Sequence, residues 1–132
     1  MYRCAAMRFV SLWLPVVLWA ALILSAANDL FSNDQTAGWL ERLFGPVPPA
    51  VNFVVRKSAH VAEYAILALL SWRARRTVPT PLLICLAVAV ADETLQAMTV
   101  TRSGSPFDVV LDMCGAAAAV YVASARHRTR AV

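Results

Sequence analysis

The sequence predicts an all-α membrane domain: a bundle of four transmembrane helices with a short interfacial helix in the first extracytoplasmic loop. Three observations carry this. Of 132 residues, 60% are hydrophobic, and the mean hydropathy is +0.61, beyond what a water-soluble domain shows. Only 15% are charged, against roughly a quarter in soluble domains. Finally, the charges fall in clusters that separate four apolar stretches, each close to the roughly twenty residues needed to cross about 30 Å of hydrocarbon at about 1.5 Å per residue. The length suits one domain, 1–132. A formal net charge of +4 does not point to nucleic acid, because the basic residues flank apolar segments and form no basic helix or aromatic-interleaved patch.

The first span is expected from about Phe9 to Ala27, without a charge. Arg3 and Arg8 before it and Ser25-Ala26-Ala27 at its end resemble a cleaved signal peptide. A retained helix is preferred, because its apolar stretch exceeds a usual signal core and Trp13, Pro15 and Trp19 suit a packed helix. In the loop from Asn28 to Val51, Trp39, Leu40, Leu43 and Phe44 recur at helical spacing, which predicts an interfacial helix. Asn33 or Asp34 is placed to cap it, and Gly45, Pro46, Pro48 and Pro49 to end it. The second span is expected at about 52–72, the third at about 80–98 and the fourth at about 107–125. In the fourth, Gly115 and Ala119 lie four apart as a close-packing face.

Basic residues of short connections favour the cytoplasmic side. Arg3, Arg8, Arg73, Arg75, Arg76, Arg126, Arg128 and Arg130 fall on one side of this topology, and Arg42 and Arg102 on the other. The expectation is therefore a multi-pass protein of the cytoplasmic (inner) membrane with both termini cytoplasmic. Cys4, Cys85 and Cys114 form no CxxC and read as free thiols. Phosphate loops, nucleophile elbows and zinc patterns are absent from the sequence.

The informative residues are those that a bilayer disfavours. A charged side chain at the centre of a span costs about 2.5–3.5 kcal/mol on insertion scales, so several together need partners or a wet cavity. Arg56, His60 and Glu63 are spaced i, i+4, i+7 and form one stripe, with Lys57 and Tyr64 on the adjoining stripe. Asp92, Glu93 and Gln96 occupy the end of the third span, Asp108 and Asp112 the start of the fourth, and Arg102 the turn between them. In the expected topology all converge on one level in the outer half of the membrane; reversed orientation would cluster them on the cytoplasmic side. Pairs such as Arg56 with Glu63 or Asp112, and Lys57 with Asp92, would hold helices in register. Pairing alone does not balance, however: Arg56, Lys57 and Arg102 stand against five carboxylates. Tyr64 reads most simply as an interhelix hydrogen-bond donor, and Ser58, Ser103 and Ser105 have no base at fixed spacing.

The order Arg56-Lys57-Ser58-Ala59-His60-Val61-Ala62-Glu63-Tyr64, then Asp92-Glu93-Thr94-Leu95-Gln96, Arg102, Asp108, Asp112 and Gly115 resembles the VanZ-like family of small membrane proteins over roughly residues 10–125. The resemblance implies a four-helix membrane protein, and Lys57, His60, Glu63, Tyr64, Asp92, Glu93, Gln96, Arg102, Asp108 and Asp112 match the family's pattern. Ala116 to Ala119 stand where relatives often carry a second glycine. Founding members are associated with low-level resistance to the glycopeptide teicoplanin. A link to glycopeptide resistance enters through that resemblance; the motif itself does not imply that this chain handles an antibiotic.

Two functional readings stay open. In the first, Arg56, Lys57, His60, Glu63, Tyr64, Asp92, Glu93, Gln96, Arg102, Asp108 and Asp112 line an outer-leaflet pocket that binds or shields a cell-envelope amphiphile. A lipid-linked cell-wall precursor, a glycolipid or a lipoglycopeptide would fit, with the cations on phosphate or carboxylate and the acids on ammonium. In the second, the chain is an intramembrane enzyme acting on such a lipid, with catalytic candidates His60, Glu63, Asp92 and Glu93. No cofactor and no metal is expected, since one histidine with scattered acids lacks a recognisable ligand spacing, and a metal held by His60 and the carboxylates is the weaker variant. Ion or proton transport is disfavoured by the apolar inner half.

Overall fold

The computed structural model describes residues 2–26, 33–98 and 104–129. Among these the chain is all helical, with α1 (Tyr2–Ala26), α2 (Asn33–Phe44), α3 (Pro49–Ala74), α4 (Pro79–Ala97) and α5 (Pro106–Thr129). The long helices begin ahead of the expected spans, and α3 and α5 also end beyond theirs, because apolar windows mark where hydrocarbon would lie and not where backbone hydrogen bonding stops. Proline sets the starts of α3 and α4, with Pro49 and Pro79 in the first turn, where the missing N–H has no helical partner to lose. At α5, Ser105 Oγ accepts from the N–H of Phe107 at 3.3 Å, capping the helix that opens on Pro106. Gly45, at φ 79°, turns the chain out of α2, and its N–H returns to the Glu41 carbonyl at 2.9 Å. That left-handed position suits glycine.

Among the described residues, three helices are long and apolar enough to cross a membrane: Met7–Ala26, Pro79–Ala97 and Pro106–Thr129. The 26-residue α3 is longer than these, but Arg56, Lys57 and Glu63 interrupt its apolar character. It is also the hub of the bundle, packing against α1, α2, α4 and α5. Contacts between α3 and α5 advance in the same order along both helices, from Lys57 with Asp108 through His60 with Asp112 to Val61 with Gly115, so the two run parallel with α4 returning between them.

The packed interior is small: Val16 and Ile23 of α1, Tyr64, Leu67, Ala68 and Trp72 of α3, Cys85 and Ala89 of α4, and Ala116 and Val120 of α5. Large apolar side chains instead cover the outside, including Leu14, Val17 and Leu18 of α1, Leu83 and Val90 of α4, and Val110 and Val122 of α5. In water this surface would be a large contiguous apolar patch; against lipid it is the expected coat. Small residues let the backbones approach. A Cβ at Gly115 would lie 2.7 Å from the Val61 carbonyl oxygen, so α3 and α5 touch where only glycine fits.

Candidate functional site

Opposite the arginine-rich ends, the interior turns polar. Asp92, Glu93 and Gln96 of α4 and Asp112 of α5 are 2%, 6%, 5% and 0% exposed. Their placement follows from local chain chemistry. The i, i+3 spacing of Lys57 with His60 and the i, i+4 spacing of Asp108 with Asp112 set two polar turns of α3 and α5 side by side, while the last two turns of α4 carry their carboxylates into the same gap.

Lys57 forms an ion pair with Asp108 and sits 5.6 Å from the centre of the Phe53 ring. The expected partner, Asp92, is instead reached by the Tyr64 hydroxyl, which donates to Oδ2 over a long 3.4 Å. Lys57 lies nearly two turns before Tyr64 on α3, so it meets the first turn of α5 and not the interior carboxylate of α4. Asp112 faces His60, whose Nδ1 stands 3.6 Å from Oδ1. That separation exceeds a hydrogen bond. Neither Asp112 oxygen has a hydrogen-bond partner, nor have Glu93 Oε1 and His60 Nδ1.

One oxygen of Glu93 is held. The backbone N–H of Ser105 donates to Oε2 at 2.6 Å, a contact made possible by the preceding glycine, since a Cβ at Gly104 would overlap the Glu93 carbonyl and come within 2.9 Å of Ala97 Cβ. The result is a cluster in which one potential ligand atom from each of His60, Asp92, Glu93 and Asp112 lies within 4.8 Å of the others. Two ionised carboxylates that close repel by at least about 3 kcal/mol at an effective dielectric of about 20, so the cluster favours a proton or a positive partner.

Beside it lies a cleft of about 260 Å³ between α1, α3 and α4. Arg56, His60, Glu63 and Gln96 line its polar part, and Trp19, Leu22 and Ile23 its apolar part. His60 belongs to both cluster and cleft. The Trp19 indole N–H donates to the Glu63 carbonyl at 3.0 Å and ties α1 to the polar face of α3.

The VanZ/LLP1 family model matches residues 6–127, a range that contains every member of the cluster and the cleft. The chain belongs to the VanZ/LLP1 family. No curated protein and no solved structure matches it. Of the VanZ-like motif residues, Arg102 lies outside the described residues; the others divide between the four-residue cluster, the Lys57–Asp108 pair, the Tyr64 hydroxyl and the cleft. Sequence reasoning missed three contributors. Trp19 reads from the sequence as a packing residue, although an indole N–H in an apolar helix needs an acceptor and was its signal. Gly104 and Ser105 were legible as a glycine followed by a Ser-Pro helix start, but not as a clamp on Glu93.

Proposed function

We propose that this VanZ-like chain crosses the cytoplasmic membrane four times, through α1, α3, α4 and α5, with both termini cytoplasmic and α2 at the outer interface. Its outer-leaflet pocket binds or shields the polar head of an envelope amphiphile. The observation that carries this reading is the division of the cleft, with Arg56, His60, Glu63 and Gln96 on one part and Trp19, Leu22 and Ile23 on the other. At about 260 Å³ it is smaller than the roughly 300–1,000 Å³ of a typical ligand pocket. It therefore suits a head group whose chain continues along the exposed apolar faces of α1 and α3.

The placement of α3 in the membrane is supported by its neighbours. Packing against α1, α4 and α5 keeps its charged stripe off lipid, and the ion pair to Asp108 offsets the desolvation of Lys57. The topology is supported at the other end too, where Arg76 and Arg126 line one groove, as a common cytoplasmic face requires. Arg56 would take phosphate or carboxylate and Glu63 an ammonium group. Lipid-linked cell-wall precursors, glycolipids and lipoglycopeptides share this chemistry, and the last would connect the chain to glycopeptide resistance.

Lipid mass spectrometry of the purified protein tests the reading. Wild type should retain an amphiphile that Arg56→Gln and Gln96→Ala lose while remaining monodisperse in detergent; equal retention by all three refutes it. Single cysteines at Thr36, Arg76 and Thr129 in a cysteine-free background test the orientation, and labelling of Arg76→Cys by an impermeant reagent in intact cells would overturn it. A second reading, enzymatic conversion of the lipid, is favoured by the buried Asp112 beside His60, the arrangement of a general base oriented by a carboxylate. Turnover of the retained lipid, lost in His60→Ala and Glu63→Gln, would establish it.

A further inference from the structure

We propose that His60, Asp92, Glu93 and Asp112 bind one divalent transition-metal ion. Three helices contribute one, two and one of these residues, and their potential ligand atoms lie within 4.8 Å of one another. Tetrahedral donors about 2.1 Å from an ion stand roughly 3.4 Å apart, so closure requires even the widest pair to approach by no more than about 1.4 Å, within reach of small side-chain rotations. No local spacing in the sequence announces the set, because its members come from α3, α4 and α5.

The second observation is independent of the clustering. Asp112 is fully buried, yet both its carboxylate oxygens lack a hydrogen-bond partner, as do Glu93 Oε1 and His60 Nδ1. Native proteins seldom leave such atoms unmatched, and here three residues do so around one point. The remaining carboxylate oxygens are used as outer-shell contacts would be used: Tyr64 donates to Asp92 Oδ2 and the Ser105 N–H to Glu93 Oε2. These orient the carboxylates, and on Glu93 they leave Oε1 without a hydrogen-bond partner, the pattern seen behind metal ligands.

Charge agrees with the geometry. Within the four-residue set three carboxylates stand beside one imidazole, and Lys57 is engaged with Asp108. A neutral histidine and a dication leave the cluster with one net negative charge in place of three. The donor set selects the kind of ion. Four donors including an imidazole are too few and too soft for calcium, which takes six to eight oxygens, whereas one nitrogen with carboxylates suits manganese, iron or zinc. Because His60 also lines the cleft, the ion would sit one side chain from the amphiphile head. The metal assignment does not depend on that head being bound.

The test uses the full chain in detergent, stripped with a chelator and dialysed against Mn²⁺ or Zn²⁺, with metal content read by plasma mass spectrometry and thermal unfolding followed in parallel. Wild type should take up about one ion per chain and melt higher with it. Asp112→Asn and Glu93→Gln should bind at least about tenfold more weakly, and His127→Ala, which removes the only other histidine, should bind as wild type does. Asp112→Cys should shift preference from Mn²⁺ toward Cd²⁺, as a thiolate does, a result that requires a folded site and so guards against a variant that merely misfolds. Wild type without uptake or thermal shift, or undiminished uptake by Asp112→Asn, overturns the proposal. Neither measurement needs lipid, so wild-type metal uptake with lipid retention unchanged in Arg56→Gln would overturn the pocket alone, and lipid retention lost in Arg56→Gln without metal uptake by wild type would overturn the metal site alone.

Discussion

Replacing Gly115 with alanine tests the contact on which the site depends. The added Cβ would stand 2.7 Å from the Val61 carbonyl oxygen, 3.0 Å from Val61 Cγ1 and 3.3 Å from the Val61 carbonyl carbon. Two of these atoms are backbone of α3, so no side-chain rotation relieves the overlap; ordinary contact requires α3 and α5 to separate by roughly 0.7 Å, an overpacking that costs about 1–3 kcal/mol. The folded population relative to the unfolded should fall by roughly 5- to 150-fold. The same displacement opens the gap from His60 Nδ1 to Asp112 Oδ1 beyond its present 3.6 Å and weakens the Lys57–Asp108 pair one turn earlier. Unfolding in detergent, followed by helicity against increasing denaturant, measures the loss. Ala119→Gly, which adds no atoms, is the companion variant and should cost only the roughly 1 kcal/mol of an interior helical glycine. If Gly115→Ala unfolds no earlier than wild type, the close approach of α3 and α5 at Val61 is refuted, and with it the register assigned to the cluster.

Other perturbations follow from the same contacts. Gly104→Ala should push the Ser105 N–H off Glu93 and destabilise the start of α5 by about 1–3 kcal/mol, visible as faster amide exchange at Ser105, Phe107 and Asp108. Lys57→Met should destabilise the chain by about 1–2 kcal/mol, below the cost of breaking a fully buried pair because Lys57 and Asp108 are 25% and 15% exposed; the reciprocal change Lys57→Asp with Asp108→Lys should recover most of it in the same unfolding assay. Among the described cysteines, the exposed Cys114 should react with a lipid-soluble maleimide while the buried Cys85 stays protected, as read by mass spectrometry of peptides from a Cys4→Ser chain. Trp19→Phe should lose the indole bond to the Glu63 carbonyl, costing about 0.5–1.5 kcal/mol, and should reduce lipid retention.

The fold was largely legible because hydrocarbon is an undemanding solvent to read. Apolar length and clustered charge identify helices without knowledge of what they touch, and the short α2 followed from Trp39, Leu40, Leu43 and Phe44 with Gly45 as its stop. The site was legible as a set of residues but not as a set of contacts. Periodicity placed Lys57 on the interior side of its helix, but its partner depended on how far α5 slides along α3, which is decided by the Gly115–Val61 approach and leaves no local mark. The Glu93 clamp was hidden for a similar reason, since a backbone N–H carries no sequence signature.

From the sequence alone come the helical class, the family and the convergence of the polar stretches on one level, because each rests on composition and spacing along single helices. The tertiary structure alone decides which charges meet. Arg56, Lys57 and His60 lie within two turns of one helix, yet they lead to the cleft, to Asp108 and to the buried carboxylates of Asp92, Glu93 and Asp112. Parallel packing of α3 on α5 rotates those three side chains toward different neighbours, and rotation about a helix axis relative to another helix is a property of the pair.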